Sequence, residues 1–377
     1  MRTMPGLAAS GRPLSVRPQH ATAATGREQF PVTPCERDRS GTVSVLVLRR
    51  GSGAGVKAVV YDRYGSPDVL RLTEVDLPAP GEGEVLVRVR ATSINSWDWD
   101  LLAGTFQGRL GFNAWRTPKF KTLGADVAGH IEAVGPNVAG FQVGDEVCGD
   151  TSASGFGGLA EYVAVPASAL AAKSPQMTFE QAAATPQAGL LALQALRDKG
   201  QIRPGHRILI NGAGGGVGTF AVQIAHSAGA EVTGVDHAAK LERVRAIGAE
   251  HVIDYTQHDF TRTGDQYDVI IDVVATRPTR AYRRALHPHG IAVIVGGSMR
   301  TILASVALGR TPMTGGRRIS LLMHQPRPAG LSDLTQLFED GHVAPVIDRS
   351  YPLEHTAQAF TRFGQGQFTG KLVVTLP

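Results

Sequence analysis

From Lys57 onward, apolar residues recur at every second position in short stretches. Glu84–Ile94 is the clearest case: Val85, Val87, Val89 and Ala91 share one face, and Arg88, Arg90 and Thr92 share the other. That period marks a half-buried strand. Lys57–Tyr61 and Leu70–Val75 read as strands around a Gly65-Ser66-Pro67 turn, and further strands fall near 127–134, 145–149 and 160–165. A run of short strands punctuated by glycine predicts a β-rich lobe rather than a parallel sheet.

Near Thr178 the rhythm changes. Phe179 to Asp198 reads as helical segments interrupted at Pro186. Strand-like runs at Arg207–Ile210, Glu231–Val235, His251–Tyr255, Tyr267–Val274 and Ile291–Val295 then alternate with helical runs at Val217–Ala228, Lys240–Ile247 and Arg280–Leu286. Such alternation predicts parallel βαβ units. Ile319–His324 adds a sixth strand and Leu331–Asp340 a helix, and Lys371–Thr375 closes the chain as a strand.

Residues 1–55 obey neither period. They are rich in Arg, Pro, Ala, Ser and Thr, with one strand-like run at Val43–Leu48, and end in Gly51-Ser52-Gly53-Ala54-Gly55. The composition predicts a disordered basic extension. An Arg-rich, acid-poor leader is also the composition of an organellar transit peptide, although no amphipathic helix is apparent. This segment changes the meaning of the overall charge. The 377 residues carry a formal +5, and the first 55 hold eight arginines against three acids, leaving the remainder balanced. A neutral body argues against a nucleic-acid groove. No apolar run approaches the length of a membrane span. The two cysteines, Cys35 and Cys148, supply neither a disulfide framework nor a four-thiolate zinc site.

After the strand Arg207–Ile210 comes Asn211-Gly212-Ala213-Gly214-Gly215-Gly216-Val217-Gly218, leading into a helix. The spacing Ala213-x-Gly215-x-x-Gly218 is one step from the dinucleotide fingerprint, in which glycine lets the backbone approach a pyrophosphate met by helix N-terminal N–H groups. Asp236 ends the next strand, where an acid accepts from the ribose 2′-hydroxyl of NAD and repels the 2′-phosphate of NADP. His237 and Lys240 lie close by in sequence and oppose that preference.

Several stretches together resemble the medium-chain dehydrogenase/reductase superfamily, in its zinc-free quinone oxidoreductase branch. They are Lys57–Tyr61, Leu123-Gly124-Ala125-Asp126-Val127-Ala128-Gly129, the run from Val134 to Val147, Ala160-Glu161-Tyr162-Val163, the glycine loop, Gly248-Ala249, Val252–Tyr255 and Gly370-Lys371. The resemblance spans residues 57–377. It implies a GroES-like catalytic domain over 56–178, a Rossmann domain with a doubly wound parallel sheet over 179–325, and a return to the first domain over 326–377. It also implies an active site between them, reduction of quinones or enones, and a homodimer.

Zinc-dependent relatives place a Cys near Asn95, a His-Glu pair at Ala125-Asp126 and four clustered cysteines elsewhere; this chain has none of these. His130 is accordingly read as structural. Without a Lewis acid the favoured acceptor is a conjugated carbonyl, since hydride attack gives a delocalised enolate that hydrogen bonds can hold. Ser93–Asp100 resembles the branch's cleft-lining N-x-x-D element, with Asn95 a donor to a substrate oxygen and Asp98 an orienting group. Both residues equally suit a plain turn. Trp97, Trp99 and Trp115 either form an apolar wall for a flat ring or simply pack. Tyr162 reads as a packed aromatic. Two positions depart from the branch: no tyrosine acid follows Asn95, and Leu191 stands where many relatives have threonine against the nicotinamide.

The expectation is therefore an α/β, zinc-independent, NAD(P)H-dependent oxidoreductase acting on a small-molecule quinone or activated alkene, placed in the cytoplasm, with an organelle as the alternative address. Asn95 and Asp98 are the catalytic candidates. Ala213, Gly215, Gly216, Val217, Gly218, Asp236, Lys240 and Tyr255 are assigned to the nucleotide, and Val295, Gly296 and Gly297 to the border of the nicotinamide. Asp236 tilts the choice toward NAD. The competing reading is a nucleotide-binding interaction protein with little or no turnover.

Overall fold

The structure, a computed structural model, describes residues 55–111, 115–308 and 315–377. Expectations for residues 1–54, the strand over 43–48 included, lie outside the described residues.

Two sheets organise the chain. In the parallel sheet the order is His251–Asp254, Glu231–Asp236, Arg207–Asn211, Tyr267–Asp272, Leu286–Ile294, Arg318–Leu321, with every neighbouring pair parallel. Arg207–Asn211, the first of these strands in the sequence, is central and the order reverses beside it, which is the doubly wound arrangement. Its strands are apolar on both faces because helices cover both. Ile208, Ile210, Val269 and Ile271 enter one core, and Leu209, Ile270, Ala292 and Ile294 enter the core on the opposite side. Helix Gly216–Ser227 covers the first face through Phe220, Ala221 and Ile224.

The other lobe is a largely antiparallel sheet in which Glu84–Ser93 pairs with Asp126–Val134, Tyr162–Pro166 and the terminal Lys371–Thr375. Strand Glu146–Asp150 flanks Asp126–Val134. Val85, Val87 and Val89 point into one core as their spacing predicts. Beyond them the alternation fails. The register with the neighbouring strand shifts between Val89 and Ala91, and such a bulge re-aims the residues that follow. Thr92, expected on the polar face, is fully buried and its hydroxyl donates to the Asp126 carbonyl.

Helices Ser96–Ala103, Met299–Leu308 and Thr356–Gln365 stand where the apolar pattern predicts none. The first begins at the Asn95/Asp98 pair. Asn and Asp suit turns and helix starts alike, and here the pair closes a capping box. Among the described residues no helix is long and apolar enough to cross a membrane.

Candidate active site

The glycine loop follows strand Arg207–Asn211 at the carboxyl edge of the parallel sheet, where open α/β sheets bind ligands. Gly218 must be glycine: a Cβ there would lie 2.0 Å from the Gly212 carbonyl oxygen and 2.6 Å from the Ala213 Cα. Gly215 is different, since a Cβ would meet only the Gly212 oxygen at 3.4 Å. Its open side leaves room for a ligand. Gly215 is also the N-cap of helix Gly216–Ser227 and supplies no side chain to the first turn. Free N–H groups there, with the positive end of the helix dipole, suit a pyrophosphate. Ala213 is buried and Val217 half-buried.

Asp236 takes part in building this loop. It is 7% exposed; one oxygen accepts the Gly214 N–H at 2.7 Å, and the other accepts the His237 N–H at 2.8 Å. The Lys240 ammonium lies 3.9 Å from that second oxygen and over the Phe368 ring. Tyr255 is half exposed beside the His237 ring. At the same sheet edge, Val295, Gly296 and Gly297 follow strand Leu286–Ile294, and Gln107 of the β-rich lobe donates from Nε2 to the Gly297 carbonyl at 2.8 Å. The lobes also meet where the Gly370 N–H donates to the Gly214 carbonyl at 2.8 Å.

Beside that contact lies a buried polar cluster. Lys371 runs beneath the loop, so that a Cβ on Gly216 would meet its Cδ at 2.9 Å. Its ammonium donates to Asn95 Oδ1 and sits 3.4 Å from Asp126 Oδ2. Asp126 Oδ2 also accepts from Ser93 Oγ at 2.6 Å and Asn95 Nδ2 at 2.9 Å. Its Oδ1 accepts the Gln187 N–H at 2.9 Å, in the first turn of helix Pro186–Leu193. Complete burial raises the Asp126 carboxyl above its ordinary range, and the Lys371 ammonium opposes the rise. Asn95 is thus fixed on both ends of its amide.

Asp98 is placed differently. It is fully buried, and its oxygens accept the N–H groups of Asn95 and Gly124, each at 2.9 Å. Burial pushes its carboxyl up to about 7, against the pull of those two N–H groups. It holds the turn on which Asn95 stands.

The tryptophans form no common wall. Trp97 meets the His324 ring edge-on, Trp99 packs on Phe363, and Trp115 is half exposed against Phe106. His130 lies against Phe179 and 3.5 Å from Glu146, Tyr162 is half-buried in its strand, and Leu191 packs on the Rossmann core. Lys371 and Asp126 are absent from the candidate set read from the sequence. The Gly370-Lys371 and G-x-D-x-A-G stretches were the available signal, but nothing in one dimension says that they touch.

Two family models match this chain: an alcohol dehydrogenase GroES-like domain over residues 81–176 and a zinc-binding dehydrogenase over 247–374. A chloroplastic quinone oxidoreductase of Triphysaria versicolor is 32% identical over 86% of this chain and 99% of its own. This chain belongs to the medium-chain dehydrogenase/reductase superfamily, in its quinone oxidoreductase-like branch. A chloroplastic NADPH-dependent alkenal/one oxidoreductase of Arabidopsis thaliana is 34% identical over 85% of this chain and 79% of its own. The solved quinone oxidoreductase of Coxiella burnetii superposes with a TM-score of 0.77 at 28% identity, over 86% of this chain and all of that one.

The donor set does not fit the zinc of the second family model's description. The positions at issue hold an amide, Asn95, and a single carboxylate, Asp126, and between them lies the Lys371 ammonium. A cation there competes with any metal for the one carboxylate. Among the described residues no three His, Cys, Asp or Glu converge elsewhere. The glycine loop, by contrast, fits a dinucleotide.

Proposed function

We infer that the protein is an NAD(P)H-dependent oxidoreductase that transfers hydride to a quinone or an α,β-unsaturated carbonyl. One observation carries this reading: the uncapped helix start at Gly215–Gly218 is joined, through Gly370 and Lys371, to a buried hydrogen-bonding cluster that includes Asn95. A nucleotide held at the first places its reactive end near the second. The names of the quinone and alkenal/one reductases among its relatives support the acceptor class.

The residues divide the work. Gly216, Val217 and Gly218 receive the pyrophosphate on backbone N–H groups, Gly215 leaves the space beside them open, and Ala213 packs the turn. Asp236 and Lys240 choose the ribose and Tyr255 flanks it; the Asp236 carboxylate favours NADH. Val295, Gly296 and Gly297 border the nicotinamide, which supplies the hydride when bound. Asn95, held by Asp126 and Lys371, offers hydrogen bonds at the reacting carbonyl, and Asp98 positions Asn95. Developing enolate charge is met by fixed dipoles close to a buried ammonium, which stabilises it more than water does. The protein works as a homodimer in this proposal, which light scattering of the purified chain checks.

Oxidation of NADH and NADPH against a panel of quinones and enones tests the activity. Turnover with at least one acceptor is expected. Cofactor binding with no oxidation across the panel leaves the interaction-protein reading in its place.

A further inference from the structure

The cleft holds a second acid–base group that the reading above does not use. Strand Glu146–Asp150 ends on Asp150, whose register partner across the sheet is Asp126. The Asp150 carboxylate is 1% exposed, and its Oδ2 lies 2.6 Å from Nε2 of His324. His324 comes from the other lobe, three residues after the edge strand Arg318–Leu321 at the carboxyl side of the parallel sheet. The backbone just before it, at Leu322, donates to the carbonyl of Ile294, next to Val295. The pair therefore joins the nicotinamide border to the Asn95–Asp126 cluster.

The His324 side chain is 2% exposed, yet among the described residues its Nδ1 has no hydrogen-bond partner. The His324 ring meets Trp97, edge-on at 5.5 Å and two residues from Asn95. The Oγ of Ser152, whose N–H donates to Asp150 Oδ1 at 2.9 Å, is orphaned in the same way. An unpaired buried polar atom is costly, so two on one carboxylate call for an explanation. A substrate oxygen bound at Nδ1 would give the His324 ring its second partner.

We propose that His324, oriented by Asp150, is the catalytic residue that protonates the reduced substrate. This rests on the hydride-transfer reading. In the step, the C4–H bond of the reduced nicotinamide breaks, and its electron pair forms a C–H bond at the β-carbon of an enone. The carbonyl oxygen takes the negative charge as enolate and receives the proton from Nδ1 of the His324 imidazolium. The neutral ring keeps its Nε2 proton on Asp150 and is reprotonated by solvent. The oxidised nicotinamide leaves, and the enol becomes the saturated ketone. The chain lacks a tyrosine acid near Asn95; His324 fills that role.

The test uses the full chain, reduced nicotinamide and 2-cyclohexenone. His324→Gln keeps an N–H in reach of Asp150 and removes the acid; kcat is expected to fall about 100-fold or more, with cofactor Kd within about twofold. In His324→Ala, added imidazole is expected to restore part of the lost rate, which a merely structural histidine does not allow. An unchanged kcat in His324→Gln, or a lowered one in His324→Ala that imidazole fails to raise, overturns the proposal. Should neither variant fold, the wild type decides. A kcat that declines as the pH is raised supports the acid, and a flat profile refutes it. Asp150, with Asp126 and Lys371 beyond it, are the charged groups around the ring in that profile. Absence of wild-type turnover with any acceptor would instead sink the hydride-transfer reading itself.

Discussion

The glycine loop and the Asn95–Asp126–Lys371 cluster lie side by side, and they were built by opposite means. The loop works with backbone: seven consecutive residues and one strand–turn–helix suffice to aim its N–H groups. The cluster works with side chains brought from positions 95, 126 and 371, each useless without the others. A loop of the first kind tolerates no added atom where its own backbone closes. A cluster of the second kind tolerates a change of atom only if its charges remain paired.

Gly218→Ala probes that contrast hardest. Its Cβ would overlap the Gly212 carbonyl at 2.0 Å, and the cost should exceed about 4 kcal/mol in denaturant unfolding. Gly215→Ala, three residues away, should change stability by less than about 1 kcal/mol yet weaken cofactor binding about tenfold in a titration. Equal loss of stability in both would show that the loop has no open side.

In the cluster, Asp126→Asn leaves the Lys371 ammonium without its carboxylate in a buried site, at a cost of about 3 kcal/mol. The double variant Asp126→Asn/Lys371→Met should recover part of that loss, because the stranded charge is gone. Additive losses would mean that the two groups do not form a unit.

Asp98 gives the pH dependence. Its carboxyl is raised from 3.8 to about 7 by burial, so the folded chain binds the proton more tightly than the unfolded one. The stability this contributes is complete below about pH 4 and lost as pH rises through about 7, on the order of 4 kcal/mol. Asp98→Asn should flatten that part of the profile. A profile that keeps its slope would assign the effect to Asp126 or Asp272, whose carboxyls burial also raises.

Smaller effects follow at the edges of the loop. Asp236→Ser removes the acceptor of the Gly214 N–H and the charge at the proposed ribose site, and should shift the NADPH/NADH preference toward NADPH by about tenfold. An unchanged ratio removes Asp236 from that role. Gln107→Ala deletes one hydrogen bond between the lobes and should cost about 1 kcal/mol.

The same contrast explains what was legible in the sequence. The inner strands of the parallel sheet announced themselves through buried apolar runs such as Ile208-Leu209-Ile210, the partly buried edge strands His251–Asp254 and Arg318–Leu321 less so, and the loop through its glycines. Asn95 was visible, but its partners were not, since proximity of residues 95, 126 and 371 is created by pairing Glu84–Ser93 with both Asp126–Val134 and the terminal strand. Thr92 was misplaced because a bulge interrupts the alternation. The pairing of Asp150 with His324 joins residues 174 apart, and neither stretch carries a pattern that names the other.

The central claim, hydride transfer from a nicotinamide cofactor whose pyrophosphate rests on the glycine loop, is tested most directly by isotope. The purified chain is given nicotinamide cofactor bearing deuterium at the transferred C4 position, together with an enone, and the product is read by mass spectrometry and NMR. The account predicts one deuterium at the β-carbon of the saturated ketone. A saturated product without that label, or no product from a chain that binds the cofactor, would contradict it.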